Sequence, residues 1–93
     1  EEPESLLDEA KRITASDRHE DYGHPSQDFA RTAQMWTGIL AARLREGERI
    51  MPMDVPLCMI GVKLARQAHR HKRENLVDIA GYARTAAMIA GDE

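Results

Sequence analysis

The sequence predicts an all-α protein: an antiparallel four-helix bundle that completes its core as an oligomer. Aromatic residues make up only 4% of the chain, while Ala, Leu, Ile and Met are common, which suits helices better than a sheet. Apolar residues recur at intervals of three and four in four separate stretches. The connection between the last two stretches is short, so those helices should pack antiparallel. Ninety-three residues make one domain, spanning 1–93, with enough chain for a modest core. Small helical chains often cover their remaining apolar surface with a copy of themselves, so a homodimer or higher homo-oligomer is expected.

Helices are expected near residues 5–15, 26–46, 54–71 and 75–90. Ser5 followed by Asp8 resembles a capping box, and Leu6, Leu7, Ala10 and Ile13 form one narrow apolar stripe behind it. Residues 16–25 (SDRHEDYGHP) have no apolar period and end in turn residues, so they read as a loop. Its polar side chains include His19, Asp21 and His24, a weak transition-metal pattern because no helical spacing fixes its geometry. A loop packed over a functional face, with Tyr22 presenting a ring and a hydroxyl, is the preferred reading. Ser26 serves as N-cap for the second helix, where Phe29, Ala33, Trp36, Leu40 and Leu44 form the core stripe. Asp54 serves as N-cap for the third, with Leu57, Ile60, Gly61, Leu64 and Ala68 facing inward and Cys58 an inert core residue. In the fourth, Leu76, Ile79, Ala80, Ala83, Ala86, Ala87 and Ala90 form a smooth face for close packing or a subunit interface. Gly81 leaves space for a neighbouring helix or a ligand, and Gly91 closes the helix.

Charge narrows the function. A formal charge of −3 and a pI near 5.8 argue against general nucleic-acid binding. One cysteine rules out an internal disulfide and a cysteine-only zinc site. No apolar run approaches a membrane span and no signal-peptide pattern is visible, so a cytoplasmic protein is expected. Against this acidic background, seven of the eleven residues from Lys63 to Arg73 are Lys, Arg or His. At the helical repeat, Lys63, Arg66, Gln67 and Arg70 fall within about a quarter of the circumference. Glu74 and Asp78 stand one turn apart on the next helix, so their carboxylates share a face. The short turn brings the two sets together. Paired carboxylates can hold a hard divalent cation, and the flanking cations can hold phosphate oxygens. Interhelical salt bridges alone are the plainer alternative, and the density of cations counts against it.

Glu74-Asn75-Leu76-Val77-Asp78 resembles the Glu-Glu-x-x-Asp segment of the MazG-like all-α nucleoside triphosphate pyrophosphohydrolases. Asp21-Tyr22-Gly23, Lys63-x-x-Arg66 and Asp78-Ile79-Ala80-Gly81-Tyr82 are similar to small phage-encoded members of that superfamily. The resemblance implies a helical bundle that oligomerises, binds Mg2+ through acidic side chains and splits a nucleoside triphosphate into monophosphate and pyrophosphate. Carried onto this chain, it makes Glu74 and Asp78 catalytic and Glu74, Asn75 and Asp78 the metal set. Lys63, Arg66 and Arg70 would then bind the phosphates, with Tyr22 or Tyr82 toward the base or sugar. The superfamily's first acidic motif, Glu-Glu-x-x-Glu, has no counterpart in the second helix, and Asn75 stands where a charged ligand is expected. Fewer carboxylates weaken magnesium binding by the protein alone. A nucleotide-binding protein that does not hydrolyse its ligand (a sensor, regulator or sequestering protein) is therefore the second expectation, and a purely structural or partner-binding helical oligomer the third.

Overall fold

The computed structural model describes residues 2–17 and 22–92, with the side chains of residues 16 and 17 left aside. Among the described residues every regular element is helical: α1 (Leu6–Arg12), α2 (Pro25–Ile39), α3 (Asp54–His69) and α4 (Arg73–Ala90). A π-helical turn, Ile13–Asp17, extends α1, and a 3-10 turn, Ala41–Arg43, follows α2. The all-α, four-helix expectation holds. The longest contact runs along the α3–α4 hairpin, α1 packs on α4, and α2 closes over both α3 and α4.

The helix ends have local causes. Ser5 caps α1, accepting from the Asp8 N–H at 3.1 Å, as the sequence predicts. Thr14 is buried, and its hydroxyl donates back to the Ala10 carbonyl at 2.7 Å. The expected cap at Ser26 moves back two residues. His24 Nδ1 accepts from the Ser26 N–H at 3.1 Å, and Pro25, which lacks an N–H, takes the first helical position. Asp54 likewise lies inside α3; its carboxylate accepts from the Met51 N–H at 2.8 Å and tightens the entry turn. α2 stops at Ile39 rather than continuing to residue 46. Thr37 Oγ1 donates to the Ala33 carbonyl and accepts the Ile50 N–H, both at 2.8 Å, which draws the returning chain back onto the helix end. α3 stops at His69 rather than residue 71. Gly91, at φ +79°, ends α4 in the left-handed conformation expected of it.

The core is small and only partly the predicted one. Phe29, Ala33 and Val55 form its centre, with Trp36, Ile50, Tyr82 and Ile89 half-buried against it. The expected mutual burial of Phe29/Ala33/Trp36/Leu40 with Leu57/Ile60/Leu64/Ala68 fails on α3 and at Leu40, which is exposed beyond the end of α2. Leu57 and Leu64 are each 54% exposed, Ala68 and Cys58 are exposed, and Ile60 is half-buried. The buried side of α3 carries Val55 and Pro56 instead. Apolar residues stand at so many positions between 55 and 64 that their spacing alone does not select a face. α4 is rotated too. Val77, Gly81, Thr85 and Met88 are buried, whereas the expected alanine side is half-buried or exposed. Two details allow this. Thr85 satisfies its hydroxyl within the helix, donating to the Tyr82 carbonyl at 2.8 Å. A Cβ on Gly81 would sit 3.4 Å from Thr14 Cγ2, so the missing side chain admits α1. Arg84 reinforces the contact by donating to Thr14 Oγ1 at 3.1 Å.

Candidate functional site

The turn between α3 and α4 is held by one side chain that sequence reasoning assigned only to the cationic quadrant. Gln67 Oε1 accepts from the Lys72 N–H at 3.1 Å and from Asn75 Nδ2 at 3.3 Å. With its oxygen so engaged, Gln67 Nε2 donates to His71 Nδ1 at 2.6 Å, which leaves the imidazole proton on Nε2. Three residues on the far side of the turn are thus tied to one amide, and the chain reverses within four residues. No periodicity signals this role. Its trace in the sequence is a single polar residue among the cations.

The clamp shapes a cleft of about 700 Å³ between the end of α3 and the first turns of α4. Lys63, Arg66 and Arg70 line it from α3 and the turn after it, and Glu74 and Asp78 from α4. The sequence placed these five residues together, and the structure brings them together. His69 and Lys72 line the same wall. Four Lys or Arg side chains therefore face two carboxylates, a local surplus of positive charge in an acidic chain.

Among the described residues one ion pair crosses the cleft. Lys63 Nζ, not Arg66, meets Asp78 Oδ2 at 2.9 Å, with both side chains largely shielded from solvent. Lys63 reaches it because its Cβ lies on the α4-facing side of α3, whereas Arg66 is one position further round and exposed. Arg66, Arg70 and Lys72 have no carboxylate partner among the described residues. Their charge is available to a ligand.

The expected metal set fits less well. Glu74 is exposed in the first turn of α4, Asp78 is held by Lys63, and the buried Asn75 spends its amide N–H on Gln67. Among the described residues no three His, Cys, Asp or Glu side chains come together as a cation site. Glu74, Asn75 and Asp78 therefore do not complete a magnesium site by themselves. The His19/Asp21/His24 pattern lies outside the described residues except for His24, which caps α2.

The tyrosines are not on the rim of this cleft. Tyr82 stands one turn beyond Asp78 on α4 and lines two further hollows. One, of about 120 Å³, lies against α1 and shares Asp78 with the basic cleft. The other, of about 320 Å³, is walled by Tyr22, Phe29, Trp36, Val55, Met59 and Tyr82, with Asp28 and Thr32 as its polar groups. Glu74, Asp78 and Tyr82 are thus consecutive turns of one helical face that runs from the basic cleft to an aromatic hollow. Sequence reasoning put Trp36 in the core; it is half-buried and forms part of this hollow.

Residues 5–90 match the family described as a domain of unknown function, DUF6378. The Gene 55 protein of Mycobacterium phage D29 is 36% identical over 81 residues, covering 86% of this chain and 50% of that protein. The Gene 55 protein of Mycobacterium phage L5 is 34% identical over 80 residues, covering 85% of this chain and 48% of that protein. The chain thus spans about half the length of these curated phage relatives. No solved structure matches. No helix among the described residues is long and apolar enough to cross a membrane. The chain belongs to the DUF6378 family.

Proposed function

We propose that this member of the DUF6378 family binds a nucleotide through its phosphates in the cleft between α3 and α4. The observation that carries the reading is the free charge: Arg66, Arg70 and Lys72 face the cleft with no carboxylate partner among the described residues. Lys63 already neutralises Asp78, so an entering phosphate meets a net positive surface. Guanidinium forks suit phosphate oxygens, and the cleft volume falls within the usual range for small-molecule sites. The aromatic hollow beyond Tyr82 offers ring faces to a base, on the same side of α4.

The second reading is magnesium-dependent pyrophosphohydrolysis of a nucleoside triphosphate, as the MazG-like resemblance implies. It is favoured by Glu74 and Asp78 standing one turn apart on the cleft wall. Because no cation site is completed among the described residues, magnesium arriving with the triphosphate suits this reading. Calorimetric titration of nucleoside mono-, di- and triphosphates, with and without magnesium and with an assay of pyrophosphate release, separates the readings. Affinity that rises with phosphate number and needs no magnesium supports binding. Release of pyrophosphate that is lost in Asp78→Ala supports hydrolysis. No binding of any phosphorylated ligand at millimolar concentration refutes both.

A further inference from the structure

The outward side of α3 is exposed among the described residues, and its composition is that of an interface. Leu57, Cys58, Gly61, Leu64, Ala65 and Ala68 fall within one third of the helix circumference, and all six are exposed. None is charged. Lys63 and Arg66 point away from this side, toward the cleft. At the centre of the face stands Gly61, around which no atom of the chain would meet an added Cβ within 4 Å. A glycine in mid-helix costs about 1 kcal/mol against alanine. Nothing among the described residues requires it.

The size of the molecule points to what covers this face. The accessible surface is 6707 Å², whereas a folded monomer of 10.5 kDa exposes about 5,400 Å². The surplus, about 1,300 Å², exceeds the roughly 800 Å² that each partner buries in a stable pair. The radius of gyration, 14.7 Å, is likewise larger than the ~12 Å of a compact domain of this length. One chain is too thin to be a finished core.

We infer that a second copy of this chain packs on the outward face of α3, with the two α3 helices antiparallel and crossing at Gly61. A twofold axis at that position sets residues opposite one another whose numbers sum to 122. Leu57 then meets the partner's Ala65, and Leu64 meets the partner's Cys58, large against small on both sides. Gly61 meets its own copy and lets the backbones approach. Antiparallel pairing also keeps the two basic ends of α3 about 24 Å apart, a helix of 16 residues. Parallel pairing would bring those cations together. The alanine side of α4, which the sequence suggested for close helix packing or an interface, is half-buried in the protomer at all but Ala83 and Ala90. Ala65, at the edge of this face, also lines the cleft, so the partner's Leu57 packs beside each protomer's site without filling it.

Sedimentation equilibrium, checked by circular dichroism for helix content, tests this. The parent is expected to be a dimer at tens of micromolar, and Leu64→Glu a folded monomer that retains its phosphate binding. Gly61→Ala is expected to weaken the dimer by about tenfold or more, while raising the melting temperature of the dilute monomer. In a Cys58→Ser background, Gly61→Cys should form an interchain disulfide on mild oxidation and Ile39→Cys should not. A monomeric parent overturns the inference. So does a dimer that survives Leu64→Glu, or one that cross-links through residue 39 and not residue 61. Loss of phosphate binding with the dimer intact would count against the cleft reading alone.

Discussion

The two sides of α3 are both made mostly of apolar residues, yet they have opposite fates. The inner side buries Val55 and Pro56 against α2 and then turns polar, with Lys63 and Gln67 organising the cleft and the turn. The outer side carries Leu57, Cys58, Gly61, Leu64, Ala65 and Ala68, all exposed, and a Cβ on Gly61 would meet no described atom within 4 Å. Burial here follows the polar groups that must be satisfied rather than the number of apolar residues on a side. Lys63 needs Asp78, Gln67 has three partners across the turn, and both face α4, so the helix is rotated to suit them. The more regular apolar stripe is left outside.

The largest expected effect lies on the inner side. Phe29→Ala removes the ring at the centre of the small core and should cost about 3–5 kcal/mol in urea unfolding. In dilute solution, where the protein is monomeric, Leu57→Ala should stay within about 0.5 kcal/mol of the parent. Equal losses from the two variants would mean that α3 is rotated from the orientation described.

Lys63 and Asp78 sharpen the comparison at the cleft. Lys63→Met leaves the Asp78 carboxylate facing the cleft without its partner and removes a cation. Phosphate affinity should fall by about 1.5–3 kcal/mol, the value of one charged hydrogen bond. Asp78→Asn removes the opposing charge and should tighten binding without magnesium, measured by calorimetry. If Asp78→Asn weakens it instead, the carboxylate contributes to the site directly.

Two glycines on neighbouring helices should answer oppositely. Gly81→Val crowds Thr14 and should destabilise by about 1–3 kcal/mol through overpacking. Gly61→Ala meets open space and should stabilise the dilute monomer by up to about 1 kcal/mol. Gln67→Ala should cost about 0.5–1.5 kcal/mol for each hydrogen bond that water does not replace. It should also raise amide exchange at Lys72 above that of the neighbouring turn.

These contrasts show what the sequence could and could not convey. The cap at Ser5, the stop at Gly91 and the meeting of Lys63, Arg66, Glu74 and Asp78 all depend on short-range spacing, and they were legible. The faces of α3 and α4 were not. In α3, Val55, Leu57, Cys58, Met59, Ile60, Val62 and Leu64 leave no gap wider than about 100° round the axis, so several rotations bury similar areas. In α4, burial of Gly81 depends on Thr14, far away in sequence, fitting against it and accepting from Arg84. The pairing of Asp78 with Lys63 rather than Arg66 follows from the same rotation.

The central claim is that the cleft between α3 and α4 receives a phosphorylated ligand. It is tested most directly by following backbone amide resonances while a nucleoside triphosphate is titrated without magnesium. The account predicts saturable shifts concentrated in residues 63–78, lost in an Arg66→Ala/Arg70→Ala double variant that keeps its helix content. Saturable shifts elsewhere with residues 63–78 unmoved, or none at millimolar ligand, would contradict it.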